Sequence, residues 1–427
     1  MELLAPAGNF SKMKYAIEFG ADSVYLGLPD FSLRARINDF TLAKLNEAIK
    51  YAHSRGKKVY VTVNIYAHNY HLPKLEQALK QLNKMRPDAV IVSDPGVLAL
   101  AKKHLKKIDL HLSTQANCTN WQAAKFWHEQ GIKRLILARE LSLKEIAEIH
   151  KKVPKLELEC FVHGAMCISY SGRCLLSAYF NQRSANLGDC SHPCRWAYKL
   201  YMEESTRPGQ FMPVEEDKNG TYILSSKDLC MIKYLPDLVK AGVKHFKIEG
   251  RTKSISYLAN VVKVYREAID CYKSTDLTTD LRIRKVNELY KELHKISNRE
   301  FTTGFFFGTE KLKMQKYDAP YMRPDLEFCG EVIESMKTLP PLKLRQAGED
   351  RSFNVKIKVH NVVRQGDEIE AIVPHGENFK FKLPELYDLD KKQFVKEVHG
   401  GQDKAILIQL DKEMPEMTIL RKKKWVI

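Results

Sequence analysis

The chain has 427 residues, 44% of them hydrophobic and 28% charged, which is enough for one large domain and a smaller one and excludes a disordered or fibrous polymer. No apolar run approaches the ~18 residues that a spanning helix needs, so no membrane partner is expected. The net charge of +17 exceeds what an ordinary mixed-sign surface carries and points to a polyanion such as RNA or DNA.

Met1 leads into ELLAPAG, without a basic segment, an apolar segment or a cleavage site. The expectation is a cytoplasmic protein, in which its nine cysteines serve metal binding or catalysis rather than disulfides.

In chain order, residues 1–275 alternate short β-rich runs with longer amphipathic stretches. The runs are 2–7, 23–28, 58–64, 89–94, 109–114, 134–139, 156–162 and 245–250. Between them, apolar residues recur at three- and four-residue intervals, as in Leu42, Leu45, Ala48, Ile49 and Ala52. Asn9, Thr41 and Ser142 are placed to cap helices. Eight near-continuous apolar strands, most followed by a helix, predict an α/β fold: a (β/α)8 TIM-like barrel. A doubly wound open sheet is the alternative, but the first turn, APAGNFSKM, lacks the GxGxxG phosphate loop.

A Cys-rich insertion of about 164–235 interrupts the cadence after strand seven. It is expected to hold a hairpin of 196–202 with 220–226, then a helix from Asp228 to Ala241. Residues 276–324 read as a helical and turn-rich connection that follows a helical region begun at 253. From 325 to 427, short alternating runs predict a small C-terminal all-β barrel domain. Two lysine clusters stand out. Lys102, Lys103, Lys106 and Lys107 are expected on one helix face, and Lys422, Lys423 and Lys424 lie beside Arg421. Each is either a solvated face or a set of phosphate contacts.

Cys167, Cys174, Cys190 and Cys194 fall within 28 positions, at C-x6-C and C-x3-C spacings separated by fifteen residues, and Cys230 follows in SSKDLC. Long irregular gaps suit ligands gathered from separate loops. An iron–sulfur cluster, a structural zinc and a set of unligated thiols remain open. Cys118, Cys160, Cys271 and Cys329 read as structural. Polar residues at strand ends should ring one pocket: Asn64, Asp94, Ser113, Gln115, Arg139, Glu140, His163, Glu249 and Arg251. Asn64, Gln115, Arg139 and Arg251 are substrate-binding candidates, the arginines as a bidentate anion clamp. His163, Glu249 and Arg251 are catalytic candidates. HExxH and GxSxG motifs are absent from the sequence.

ECFVHGAMCISYSGRCLLS resembles the signature of the collagenase-like peptidases of unassigned catalytic type, family 32 of the U class. Glu159, Phe161, Gly164, Ala165, Met166, Cys167, Gly172, Cys174 and Ser177 fill its slots. ELLAPAG, SSKDLC, KIEGRTKS and TTGF extend the likeness over nearly the whole chain. The resemblance implies a [4Fe-4S] cluster on Cys167, Cys174, Cys190 and Cys230, with Cys194 as the alternative fourth ligand. It implies prephenate-dependent 5-hydroxylation of the wobble uridine in the tRNA anticodon loop, with a small anionic metabolite as co-substrate. The alternatives are a collagenase-like peptidase and an iron–sulfur scaffold for rRNA or quinone hydroxylation. The C-terminal β domain and the positive charge favour the tRNA branch.

Overall fold

The structure, a computed structural model, describes residues 1–33, 39–167, 169, 174–196, 201–203, 205–213, 226–308, 325–336, 353–401 and 403–424. Strands β1 (Glu2–Pro6), β2 (Ser23–Gly27), β3 (Lys58–Val63), β4 (Ala89–Val92), β5 (Asp109–Leu112), β6 (Arg134–Ile136) and β7 (Glu157–Ala165) pair in sequence order, all parallel. A closing strand, Val243–Ile248, pairs with β1 at Glu2↔His245 and with β7 at Lys247↔Phe161, which completes the eight-stranded barrel. The strands read as unbroken apolar runs because helices cover the outer face. Those helices include α1 (Phe10–Glu18), α2 (Leu42–Ser54), α3 (Leu72–Met85), α4 (Pro95–His104), α5 (Trp121–Glu129) and α6 (Leu143–Lys152). Asn9 and Thr41 accept the expected capping bonds. At α6, Ser142 and Glu145 form a reciprocal capping box, a feature worth about 1 kcal/mol.

After β7 the chain departs from simple alternation. Residues Asp228–Cys230, expected to begin a helix, instead form a strand antiparallel to the end of β7, with Cys230 opposite His163. A buried ion pair fixes this strand: Arg299 Nε and its backbone N–H both donate to the Asp228 carboxylate, at 3.1 and 3.2 Å. Between Cys174 and Cys190 lies α7 (Leu176–Asn181), and α8 (Leu235–Lys240) follows the strand, with Pro236 in its first turn, where a missing N–H costs nothing. Within the insertion Tyr201–Glu203 pairs with Phe211–Pro213, while the expected hairpin of 196–202 with 220–226 falls largely on 197–200 and 220–225, which lie outside the described residues.

The helical region divides into α9 (Ile255–Lys273) and α10 (Thr279–His294). Helix α9 is buried on most of its circumference, because the barrel and α10 both pack on it. The C-terminal domain is all-β, as expected: among the described residues it is built on an eight-stranded antiparallel sheet curved as a half-barrel. It joins the barrel through side chains. Lys263 on α9 donates to the Val373 and Gly376 carbonyls and to Asn378 Oδ1. Arg421 bridges Glu292 of α10 and Glu370. Tyr15 of α1 donates to Glu331, which also meets His360 at 3.1 Å.

Candidate active site at the barrel mouth

The lower barrel interior is polar. Arg134 donates to Glu2, Glu157 and Glu159 at 2.9–3.2 Å, and Tyr60, Ser23 and His245 converge on Glu2. Burial alone would raise the Glu2 carboxyl, but the His245 bond and the Arg134 charge more than offset it and hold it well below the usual range. Above this layer Lys247 donates to Glu159 at 3.1 Å, with its ammonium 4.4 Å from the Tyr25 ring. Burial lowers the Lys247 pKa against the opposing pull of Glu159.

Over that floor, at the C-terminal ends of the strands, opens a cavity of about 210 Å³. Barrel enzymes place their chemistry at this face. Asn64 Nδ2 and Ser93 Oγ both donate to Gln115 Oε1, at 3.2 and 3.4 Å, while Asn64 Oδ1 accepts from the Leu33 N–H. These bonds fix the Gln115 carboxamide with its oxygen occupied, so its NH2 is the group left to offer a ligand in the cavity. Arg139 lies 4.0 Å over the Phe161 ring, donates to the Ala165 carbonyl at 2.7 Å and stands 3.9 Å from Glu249. Arg251 donates to Leu33 O at 2.9 Å and to Ser32 Oγ at 3.4 Å. Both guanidiniums therefore brace loop backbone as well as facing the cavity, which narrows the expected anion clamp. Gly164 has φ +105°, and a Cβ there would meet the Glu249 carbonyl at 2.4 Å, so only glycine lets β7 approach the closing strand at the mouth.

Asn64, Ser113, Gln115, Arg139, Glu249 and Arg251 all line the cavity, as the strand-end pattern predicts. Three expected members do not. Asp94 caps α4 through the Val97 N–H, and Glu140 lies off the cavity wall. His163 is the third, a correction to its catalytic assignment. A bulge in β7 between Phe161 and His163 breaks the two-residue alternation. Phe161 stays inward, and His163 turns outward among Tyr257, Tyr265 and Phe301. Burial pushes its pKa down to about 4, so it is neutral near pH 7. Sequence reasoning missed Tyr25, Phe161 and Lys247, which form the inner wall and floor. The inward alternation of Lys247 and Glu249 in KHFKIEG was the available signal.

The upper wall is made by the insertion. Cys167, Cys174, Cys190 and Cys194 all line the cavity, and none of them is in a disulfide. The His192 backbone N–H donates to Cys190 Sγ at 3.4 Å. Cys230 is placed apart. It is buried with its sulfur 3.7 Å from the Tyr265 hydroxyl, and burial raises its pKa to about 11. Among the described residues no three His, Cys, Asp or Glu side chains converge tightly enough to hold a single metal ion. The four thiols are spread around the wall, a soft donor set that fits an iron–sulfur group. Cys118, Cys160, Cys271 and Cys329 are buried away from it.

The basic clusters lie elsewhere. Helix α4 ends at His104, so Lys106 and Lys107 fall beyond it, and the whole exposed group sits at the barrel end opposite the cavity. Lys422 is buried, with Asp367 at 2.9 Å and Glu327 at 3.9 Å, and is no phosphate contact; Lys423 and Lys424 are exposed. Among the described residues no helix is long and apolar enough to cross a membrane.

The sequence profile described as Peptidase family U32 matches residues 8–316, and that of the Peptidase family U32 C-terminal domain matches 344–421. The chain is 40% identical over 425 residues to the tRNA hydroxylation protein P of Escherichia coli (strain K12), covering 90% of this chain and 88% of that one. It is 36% identical over 423 residues to the tRNA hydroxylation protein P1 of Bacillus subtilis (strain 168), covering 99% and 95%. It is 32% identical over 318 residues to a collagenase of Porphyromonas gingivalis (strain ATCC BAA-308 / W83), covering 72% and 73%. With its barrel, its insertion and its C-terminal sheet all within these matches, the chain belongs to peptidase family U32.

Proposed function

We propose that the protein hydroxylates RNA, converting the wobble uridine of tRNA to 5-hydroxyuridine with the base held in the barrel-mouth cavity. The observation that carries this reading is the cavity itself. Its wall combines an oriented carboxamide on Gln115, the Phe161 and Tyr25 rings with Arg139 and Lys247 over them, and the thiols of the insertion. The two relatives named for tRNA hydroxylation match this chain over 90% and 99% of its length, barrel and C-terminal sheet included. The Gln115 NH2 suits a pyrimidine carbonyl. A loop base is already unpaired, so little work is needed to extrude it.

In this reading Cys167, Cys174 and Cys190 hold a [4Fe-4S] cluster, with the fourth thiolate from Cys230 or Cys194. Such a group supplies one-electron chemistry when bound. Prephenate is the proposed anionic co-substrate, with the guanidiniums of Arg139 and Arg251 on the wall to meet it. Lys247 and Glu159 keep a charged, hydrogen-bonded floor from which water is largely shut out.

The peptidase reading rests on the relative named collagenase. It needs a serine or cysteine activated by a base. The relatives named for tRNA hydroxylation match 90% and 99% of this chain, against 72% for the collagenase, which favours the RNA reading. The test is nucleoside analysis of tRNA from a strain lacking the protein, beside a collagen digestion assay of the purified chain. Loss of 5-hydroxyuridine, restored by the wild-type gene, is the expected result. Unchanged 5-hydroxyuridine with collagen cleavage would overturn it.

A further inference from the structure

Four of the large rings left open to solvent border the cavity, while others, such as Phe126 on α5 and Phe394 in the C-terminal sheet, lie away from it. Among the described residues Tyr179 is 82% exposed and Tyr70 is 71% exposed, with Phe180 and Trp196 at 46% and 42%. Scattered exposed apolar residues are ordinary, but a group of them bordering a cleft marks an interaction surface. Tyr179 and Phe180 lie on α7, whose Leu176 lines the cavity, and Trp196 follows the lining residue Cys194 by two positions. Their rings form a chain, with centroids 5.2 Å apart for Tyr179–Phe180 and 6.2 Å for Phe180–Trp196. Tyr70 belongs to the loop after β3, the loop that starts with the lining residue Asn64. There its ring stands 4.0 Å from that of His71 and stacks on His68 at 5.6 Å with 15° between the planes, and the Tyr66 hydroxyl ties the same loop to the Gln115 carbonyl.

The cavity, at about 210 Å³, is smaller than the roughly 300–1,000 Å³ typical of pockets for drug-sized ligands. It takes one base-sized flat group. If that group is a nucleotide in a chain, its neighbours must lie outside, at the rim. Unpaired bases are bound by stacking on aromatic side chains, because every base has a π-face. The net charge of +17 makes a nucleic acid a better match for this rim than a neutral apolar surface.

We propose that Tyr179, backed by Phe180 and Trp196, and Tyr70 on the β3 loop are two stacking platforms for the nucleotides flanking the base in the cavity. The partner is single-stranded loop RNA, and the inference rests on the RNA reading given above. The test is equilibrium binding of fluorescently labelled tRNA to the full-length protein. The proteins compared are wild type, Tyr179→Ala, Tyr70→Ala, Tyr179→Phe and Tyr70→Phe, over a salt series. Each alanine variant should bind about 5-fold to 150-fold more weakly, the range for loss of one stacked base. The phenylalanine variants should bind as wild type does. The slope of log affinity against log salt should stay unchanged, since stacking releases no counterions, and melting temperatures should not move. Alanine variants that bind tRNA like wild type would overturn the platforms. So would variants that keep tRNA affinity yet lose tRNA modification in cells, which would assign the rim to a protein partner. A wild-type protein that binds no tRNA at all would instead sink the RNA reading itself.

Discussion

His163 shows how one residue's position changes its role. In the sequence it sits beside the first cysteine and at a strand end, the place for an acid–base group. In the fold the β7 bulge turns it into a pocket of rings, where burial pushes its pKa down to about 4 from an ordinary value near 6.5. The consequence is a stability effect. Below pH 6.5 the unfolded chain binds a proton at this site that the folded chain refuses, so stability falls as pH drops from 6.5 to 4. The loss reaches about 3 kcal/mol below pH 4. His163→Phe should remove this component from denaturant midpoints measured across that pH range, while leaving the cavity chemistry in place. An unchanged acid dependence in the variant would show that His163 is not the group responsible. A bulge inserts one residue without leaving a mark in the hydrophobic pattern, which is why the orientation of His163 was illegible. Gln115, Asn64 and Arg139 were legible because they end unbulged strands, and the strand-end rule carries them to the mouth.

At the scale of elements, the eight barrel strands were readable from their apolar runs, since a sheet covered on both faces writes its strands as continuous hydrophobic stretches. The return strand Asp228–Cys230 was not. Three residues carry no periodicity, and its pairing with β7 depends on the distant Arg299. That strand decides where Cys230 sits, against Tyr265 rather than on the cavity wall. The insertion therefore offers four thiols at the cavity and one behind it. Anaerobically purified protein should carry about four iron and four sulfide per chain, as one cubane requires. Cys167→Ala, Cys174→Ala and Cys190→Ala should each lose the iron. Of Cys194→Ala and Cys230→Ala, one should lose it and the other keep it, which identifies the fourth ligand. Iron content unaffected by any of these variants would remove the insertion from cluster binding.

For the whole molecule, barrel and half-barrel are held together by buried charged groups that composition alone reads as surface. Arg421 and Lys422, part of an apparently basic C-terminal patch, are spent on Glu292, Glu370, Glu327 and Asp367. The four lysines around α4 face away from the mouth. The excess charge was legible and its placement was not, because a linear pattern cannot say which acidic groups a lysine will meet. What remains at the mouth is a small cavity with an oriented amide, a thiol wall and an aromatic rim, where the proposed reaction modifies an RNA base. The most direct measurement is 5-hydroxyuridine in tRNA from a deletion strain carrying wild type, Gln115→Leu or Lys102→Ala. Wild type and Lys102→Ala should restore the nucleoside, and Gln115→Leu, present at normal level with normal iron, should leave it at about a tenth or less of wild type, the loss expected when one hydrogen bond worth about 1.5 kcal/mol is removed from a bound base. Full restoration by Gln115→Leu would contradict the claim that the base is read in this cavity.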